Sequence, residues 1–323
     1  QSTWYSPLGT GSFRRWTSDE GDFLFHREVI LQEIWLAWQD LDEFSLWSIL
    51  AKSLAYWTTL LAAGSALNLL WLRETAPQTI SLLRWFGPTC AVFAILLNSS
   101  LIPLQASYLM GEWSAIQDPM MLQFAWESPL GDSLLLRGFG LLLILAAIRP
   151  EKLSLGISTL GCGLVALSFA FQGHTLSEPR WLLVALITVH LLGLIFWIGG
   201  FTPLAWLAKR QDNSTGLAAR QFGKISIWNV PLLAIVGVFL LLLLSGGDWE
   251  IIWSAYGQLF ALKFLGFMGL LGLAAMNKLF LTPALLRSEE RAFVLLRLSL
   301  VLEMTVVAVI LLLTASFTTV GLE

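Results

Sequence analysis

Residues Trp181–Ala208 read WLLVALITVHLLGLIFWIGGFTPLAWLA, a stretch without one charged side chain. A helix needs about 20 mostly apolar residues to cross a hydrocarbon core of roughly 30 Å. This run is long enough to do so with some tilt. Its leucines follow one another without the strict two-residue alternation of a barrel strand, so it is read as a helix. Seven further runs of that kind occur, at Ser48–Leu72, Ile80–Leu109, Leu130–Ile148, Leu153–Phe171, Ser226–Leu244, Gln258–Leu281 and Phe293–Thr319. Pro150 and Gly246-Gly247 stand at run ends. The expected fold is an all-α polytopic membrane bundle of about eight transmembrane helices. Pro88 and Pro103 mark Ile80–Leu109 as the run to be kinked.

Composition agrees. Of 323 residues, 56% are hydrophobic and 13% charged, against roughly 25% charged in soluble domains. Mean hydropathy is +0.73 and the isoelectric point is near 5.7. A net charge of -3 offers no basic field for a polyanion. Soluble enzyme, disordered scaffold and nucleic-acid binder are excluded. Cys90 and Cys162 lie inside apolar runs and make no disulfide framework. No Walker loop, dinucleotide fingerprint, CxxC or nucleophile elbow is present, so an enzyme is not expected.

Orientation follows from the cations. With the N-terminus outside, the inner connections carry Arg73, Arg84, Arg149, Lys152, Lys209, Arg210, Arg220, Lys224, Lys278, Arg287, Arg291 and Arg297. The outer ones carry Arg180 against Glu112, Asp118, Glu127, Asp132, Glu178, Asp248 and Glu250. Both termini are therefore expected outside, which is the periplasm in a cell that has one. Residues 1–46 hold no apolar core ahead of a cleavage site and do not read as a signal peptide. Within them, Phe23–Trp47 spaces Ile30, Ile34, Trp38 and Leu41 as an interfacial helix would, the alternative being a loose leader.

Two stretches match in order. Ser128-Pro-Leu-Gly131 to Arg137 parallels Ser254-Ala-Tyr-Gly257 to Lys263, and Arg84-Trp-Phe-Gly87 parallels Arg220-Gln-Phe-Gly223. They suggest two parallel copies of four spans, in halves at 47–172 and 173–323.

Of three histidines, His190 lies about nine residues below Trp181, ~14 Å deep. An imidazole there is a functional candidate by default, its bland alternative being a hydrogen bond to a neighbouring helix. His174 would stand at the outer mouth of the same span, and His26 is read as incidental. Thioether and imidazole together suit Cu(I). Met110, Met120 and Met121 flank the acidic outer loop, and Met268, ~16 Å below Gly257, nearly matches His190 in depth. Met276 and Met304 read as packing. Glu303, mid-span, needs a partner such as Asn277 or Arg297, and serves either a cation or proton step or a structural clamp. Trp197 shares a face with His190. Lys52, Arg137 and Lys263 lie near the outer boundary, where snorkelling accounts for them. A membrane haem or quinone protein is the alternative from another class, but His174 and His190 flank one helix at different heights, which paired axial ligation does not allow.

His190 to Trp197-Ile-Gly-Gly200 resembles the His…Trp-x-Gly-Gly span of the bacterial copper-resistance D family. Gly257 to Lys263, Asn277-Lys-Leu-Phe-Leu-Thr-Pro283 and Arg297 to Glu303 are similar to that family too. The resemblance runs from about Gly173 to Thr319. It implies an inner-membrane copper protein that works with a small periplasmic copper-binding protein of the copper-resistance C type and moves copper inward. It carries the family's histidines to His174 and His190, and its intramembrane acid to Glu303. The first half has no histidine equivalent to His190, which argues against two symmetric sites. Met110, Met120 and Met121 would gather copper, His174 take it at the mouth, and His190 with Met268 hold it inside. A receptor that binds copper or the partner without translocating it remains the second reading.

Overall fold

The computed structural model describes residues 42–147, 151–172, 179–244 and 255–320. Those residues are helical almost throughout, and no strand occurs among them. Helix α1 (Glu43–Thr75) opens at Asp42, whose carboxylate accepts from the Ser45 N–H at 2.7 Å. Then come α2 (Thr79–Ser99) and α3 (Leu101–Met110), which together make one span. Their break at Ser100 follows from Pro103, which has no N–H to offer the Ser99 carbonyl. Gly111 closes α3 in the left-handed conformation, φ 69°.

A short segment, α4 (Pro119–Trp126), is capped by Asp118 and leads to α5 (Pro129–Ala147). After α6 (Lys152–Ser168) come the long helices α7 (Arg180–Lys209) and α8 (Thr215–Leu244). The chain continues through α9 (Ala255–Met276), a π-helical turn at Asn277–Leu281, α10 (Thr282–Leu286) and α11 (Glu290–Val320).

Seven helical segments among the described residues are long and apolar enough to cross a membrane. The remaining expected span, Ser48–Leu72, lies in α1. Helix α1 runs through the middle of the bundle, against α2, α6, α7 and α11. Protein rather than lipid surrounds much of it, so Ser65, Thr59 and Asn68 are tolerated there. The protein is thus a multi-pass all-α membrane bundle. Most of the expected interfacial helix at Phe23–Trp47 lies outside the described residues; of it, 43–47 form the start of α1.

The tightest contact joins α1 to α7. A Cβ on Gly64 would stand 2.5 Å from the Gly199 Cα and 2.6 Å from the Ile195 carbonyl oxygen. Glycine is required here because the two backbones touch. Intramembrane asparagines then pin neighbouring helices. Asn68 donates to the carbonyls of Gly64 and Phe196, and accepts from the Trp71 indole. Asn98 on α2 donates to Thr59 on α1, and Asn229 on α8 donates to the Gly193 carbonyl on α7. In hydrocarbon each such bond contributes roughly 0.6–2 kcal/mol.

The loops fall into two sets. Lys52 donates to the Thr318 carbonyl and the Thr319 hydroxyl, Tyr108 to the Thr319 carbonyl, and the Trp113 indole to Glu43. Hence the start of α1, the end of α3 and the end of α11 share one end of the bundle. At the other end Gln78 donates to Asp212 at 2.8 Å and to the Ser214 hydroxyl, joining the α1–α2 and α7–α8 connections. This second end carries Arg73, Lys152, Lys209, Arg210 and Arg287 beside Glu74, Glu151, Asp212, Glu289 and Glu290; the first carries Glu43, Glu112, Asp118 and Glu127 beside Lys52.

Partial burial works against the Asp212 charge, but bonds from the Ser214 N–H and hydroxyl and from Gln78, with Arg210 nearby, hold its carboxyl below the usual range. A lowered carboxyl stabilises the folded loop above the ordinary carboxylate pKa, and that contribution is lost as pH falls through the lowered one. The protection of the Ser214 amide against exchange, relative to its intrinsic rate at each pH, should therefore fall on acidification in the wild type. In Asp212→Asn that protection should be low and unchanged over the same window.

Candidate functional site

His190 lies ten residues along α7, about 15 Å of rise from Arg180. Its ring turns toward α8, where a Cβ on Gly237 would stand 3.7 Å from His190 Cε1, and it interacts with the Leu233 backbone. Gly237 leaves the room the imidazole occupies. His190 Nδ1 is buried with no hydrogen-bond partner. A neutral imidazole that donates from one nitrogen holds a lone pair on the other. A buried acceptor without a donor is destabilising, by about 1–3 kcal/mol, unless something else fills it. A soft cation is such a filler.

Two turns further along, Trp197 is buried in the core. It meets Phe267 of α9 edge-on at 6.3 Å between ring centroids, and Phe201 at 6.2 Å. Gly200 admits the Phe222 ring of α8, which stacks on Phe196 at 5.3 Å. Because Phe267 packs on Trp197, Met268 stands near the height of Trp197, not of His190. It is 47% exposed. The depth match expected between Met268 and His190 counted from the two helix starts; the Phe267 ring, one residue before Met268, meets α7 at Trp197, two turns below His190. Met276 is also exposed, and Met304 packs against the main core.

Glu303 is buried mid-helix in α11 and accepts from Asn277 Nδ2 at 2.6 Å and from the Ser299 hydroxyl at 3.3 Å. Asn277, rather than Arg297, is the partner; Arg297 is exposed. The π turn that begins at Asn277 carries this side chain toward α11. Thr282 donates both its N–H and its hydroxyl to the Asn277 carbonyl.

At the end shared by α1, α3 and α11, Met120 is 77% exposed and Met110 nearly half so, while Met121 packs into a small cluster with Ala115 and Ala125. These three lie about the acidic loop, as the sequence placed them. His174 and His26 lie outside the described residues. Among the described residues, no three His, Cys, Asp or Glu side chains gather as a metal site.

Arg137 departs from the sequence reading. Snorkelling would leave its head in water, yet it is fully buried. It donates to Ser168 at 3.1 Å, Asn98 at 2.8 Å and Ser133 at 3.0 Å, and its guanidinium lies 3.9 Å from the Phe169 ring centroid. Lys263, its expected counterpart, is half-buried. Two of the three acceptors, Asn98 and Ser168, come from α2 and α6, so α5 alone could not disclose them. Asn68, Asn98 and Asn229, in three different spans, were the signal that charge and histidine counting passed over.

Two family models match the chain. The model described as copper resistance protein D matches residues 216–317, and the one described as copper resistance protein D-like, N-terminal domain, matches residues 41–179. Together they cover most of the chain. Met268 and Glu303 fall in the first range, Met110, Met120, Met121 and His174 in the second. His190 and Trp197 lie on α7, between the two ranges. No curated protein and no solved structure matches.

Proposed function

The chain belongs to the copper resistance protein D family, and from that premise we propose that it accepts copper at its acidic end and moves it across the bilayer, with His190 as the intramembrane ligand. The observation that carries this reading is the buried His190 Nδ1 with no partner. Ser226 Oγ and Asn277 Oδ1 are also buried without a partner, but of these atoms the imidazole nitrogen is the donor that suits a soft cation. Copper is the substrate, as Cu(I), which tolerates few ligands and favours imidazole and thioether. Met110, Met120 and Met121, with Glu112 and Asp118, gather it at the mouth, and His174 receives it there. Trp197 and Glu303 border the path inward, and Met268 is kept as a soft ligand for which α9 would have to rotate. The protein is not an enzyme in this reading.

The acidic end faces the periplasm, both termini with it, and the cationic end the cytoplasm, in a bacterial inner membrane. A small periplasmic copper-binding protein of the copper-resistance C type delivers the ion. The halves at 47–172 and 173–323 are parallel copies related by an axis along the membrane normal, and residues 1–46 precede them on the periplasmic side.

Oriented proteoliposomes loaded with a Cu(I) chelator test the proposal. Copper-64 added at the acidic end should accumulate in the lumen, with and without an imposed proton gradient. Surface binding that saturates without filling the lumen is the behaviour of a receptor and defeats the transport reading. A Soret band in the purified protein would turn the account toward haem chemistry.

A further inference from the structure

The Asn277 amide is satisfied on one side only. Its Nδ2 donates to Glu303 Oε1 at 2.6 Å, while its Oδ1 is buried with no partner. Ser299 donates to the same Oε1 at 3.3 Å. An ionised Glu303 is an acceptor on both oxygens and can do nothing for Asn277 Oδ1. A protonated Glu303 differs. A carboxylic acid and a primary amide pair in a ring, the amide N–H to the acid carbonyl and the acid O–H to the amide oxygen. The first of these bonds is present, and the second would fill the orphaned Oδ1.

The surroundings favour the neutral form as well. Asn277 and Ser299 are uncharged donors, and neither is a counter-ion. The charged groups on the elements packed here lie elsewhere. Lys278 lies along Gly223 of α8, its Cγ 3.7 Å from where a Cβ there would be. Arg297 is exposed on α11. Arg73 of α1 pairs with Glu74 at 3.5 Å, and Lys209 of α7 is exposed at its helix end. A bare carboxylate among neutral groups in a membrane core is expensive. The π turn holds the arrangement in place, since Thr282 fastens the Asn277 carbonyl by both its N–H and its hydroxyl.

We infer that Glu303, paired with Asn277, is a proton-binding site of the carrier, occupied when the path holds no copper and emptied when it does. This rests on the copper reading above. When Cu(I) enters the core, the Glu303 O–H bond breaks, the proton passes to water at the acidic end from which the copper came, and the carboxylate left behind balances the copper charge. No electron moves, and the net charge of the core is unchanged. When copper leaves at the cationic end, the carboxylate takes a proton from water at that end and the acid–amide pair reforms. The proton is thus a counter-substrate.

Infrared difference spectroscopy on the full chain in liposomes reads the acid directly, through the carboxylic C=O stretch. The wild type should show this band in the absence of copper and lose it on Cu(I) loading, with a proton released for each copper bound. Glu303→Gln keeps the volume and the bond from Asn277 but cannot titrate. It should lack the band, bind copper and release no proton. Asn277→Leu retains the acid and should move the band, because the amide partner is gone; this variant and the wild-type titration decide the matter if Glu303→Gln does not fold. Absence of a Glu303 C=O band in the wild type overturns the site, and so does a band that persists unchanged while copper is bound. If the band is present but no copper binds, the copper reading fails and the counter-substrate role falls with it, while the protonated Glu303–Asn277 pair stands.

Discussion

His190→Leu is expected to abolish high-affinity copper retention while leaving the helix bundle folded. Leucine preserves apolar volume, is at home in α7, and removes a buried nitrogen that has no hydrogen-bond partner. Deleting that acceptor should leave stability unchanged or raise it by about 1 kcal/mol, because the orphaned Nδ1 disappears. Copper occupancy should fall by at least about two orders of magnitude, the loss of roughly 3 kcal/mol of ligation. His190→Met should retain part of the occupancy, since a thioether is also a soft donor. Metal analysis after gel filtration reads the occupancy, and thermal unfolding in detergent reads the stability. A structural histidine gives the opposite pair of results, with stability falling and copper per folded molecule kept.

The second large effect is on assembly. Gly199→Leu should prevent α1 from seating on α7. A Cβ on Gly199 would collide with the Gly64 backbone, and neither backbone can step aside without parting the helices. Overpacking in soluble cores is destabilising by about 1–3 kcal/mol, and a backbone-to-backbone clash belongs at or above the upper end. Asn68 would lose the Phe196 carbonyl as the helices separate. The expected result is a protein that inserts but does not pack, seen as loss of the monodisperse peak and as protease sensitivity. Gly138→Leu is the control, because a Cβ there meets nothing within 4 Å. It should behave as the wild type.

How much was legible in the sequence depends on what each residue's surroundings could reveal. Spans were legible because lipid demands length and apolarity from every exposed helix. Even α1, the least apolar, was found, since protein shelters its polar groups. The break near Pro103 was legible because a missing N–H is a local fact. His190 stood out as a lone imidazole in a charge-free run.

Side-chain facing was not legible. In water, an apolar stripe marks the buried face of a helix. Here both lipid and core are apolar, so α9 carries leucine and phenylalanine on all sides, and Met268 gave no sign that it points outward. Arg137 shows the same limit from the other direction. Its depth in α5 allowed it to reach water, but Asn98 of α2 and Ser168 of α6 enclose it. The pairing of Asn277 with Glu303 was anticipated, whereas the π turn that produces it was not. Its one local sign is Pro283, which denies an N–H to the Leu279 carbonyl inside that turn.

The central claim is that His190 ligates copper inside the membrane. X-ray absorption at the copper edge, on the Cu(I)-loaded full chain in liposomes, tests it most directly. The account predicts imidazole scattering in the wild type that is reduced by one ring, with loss of copper, in His190→Leu. An unchanged spectrum and equal copper content in the two proteins would contradict it.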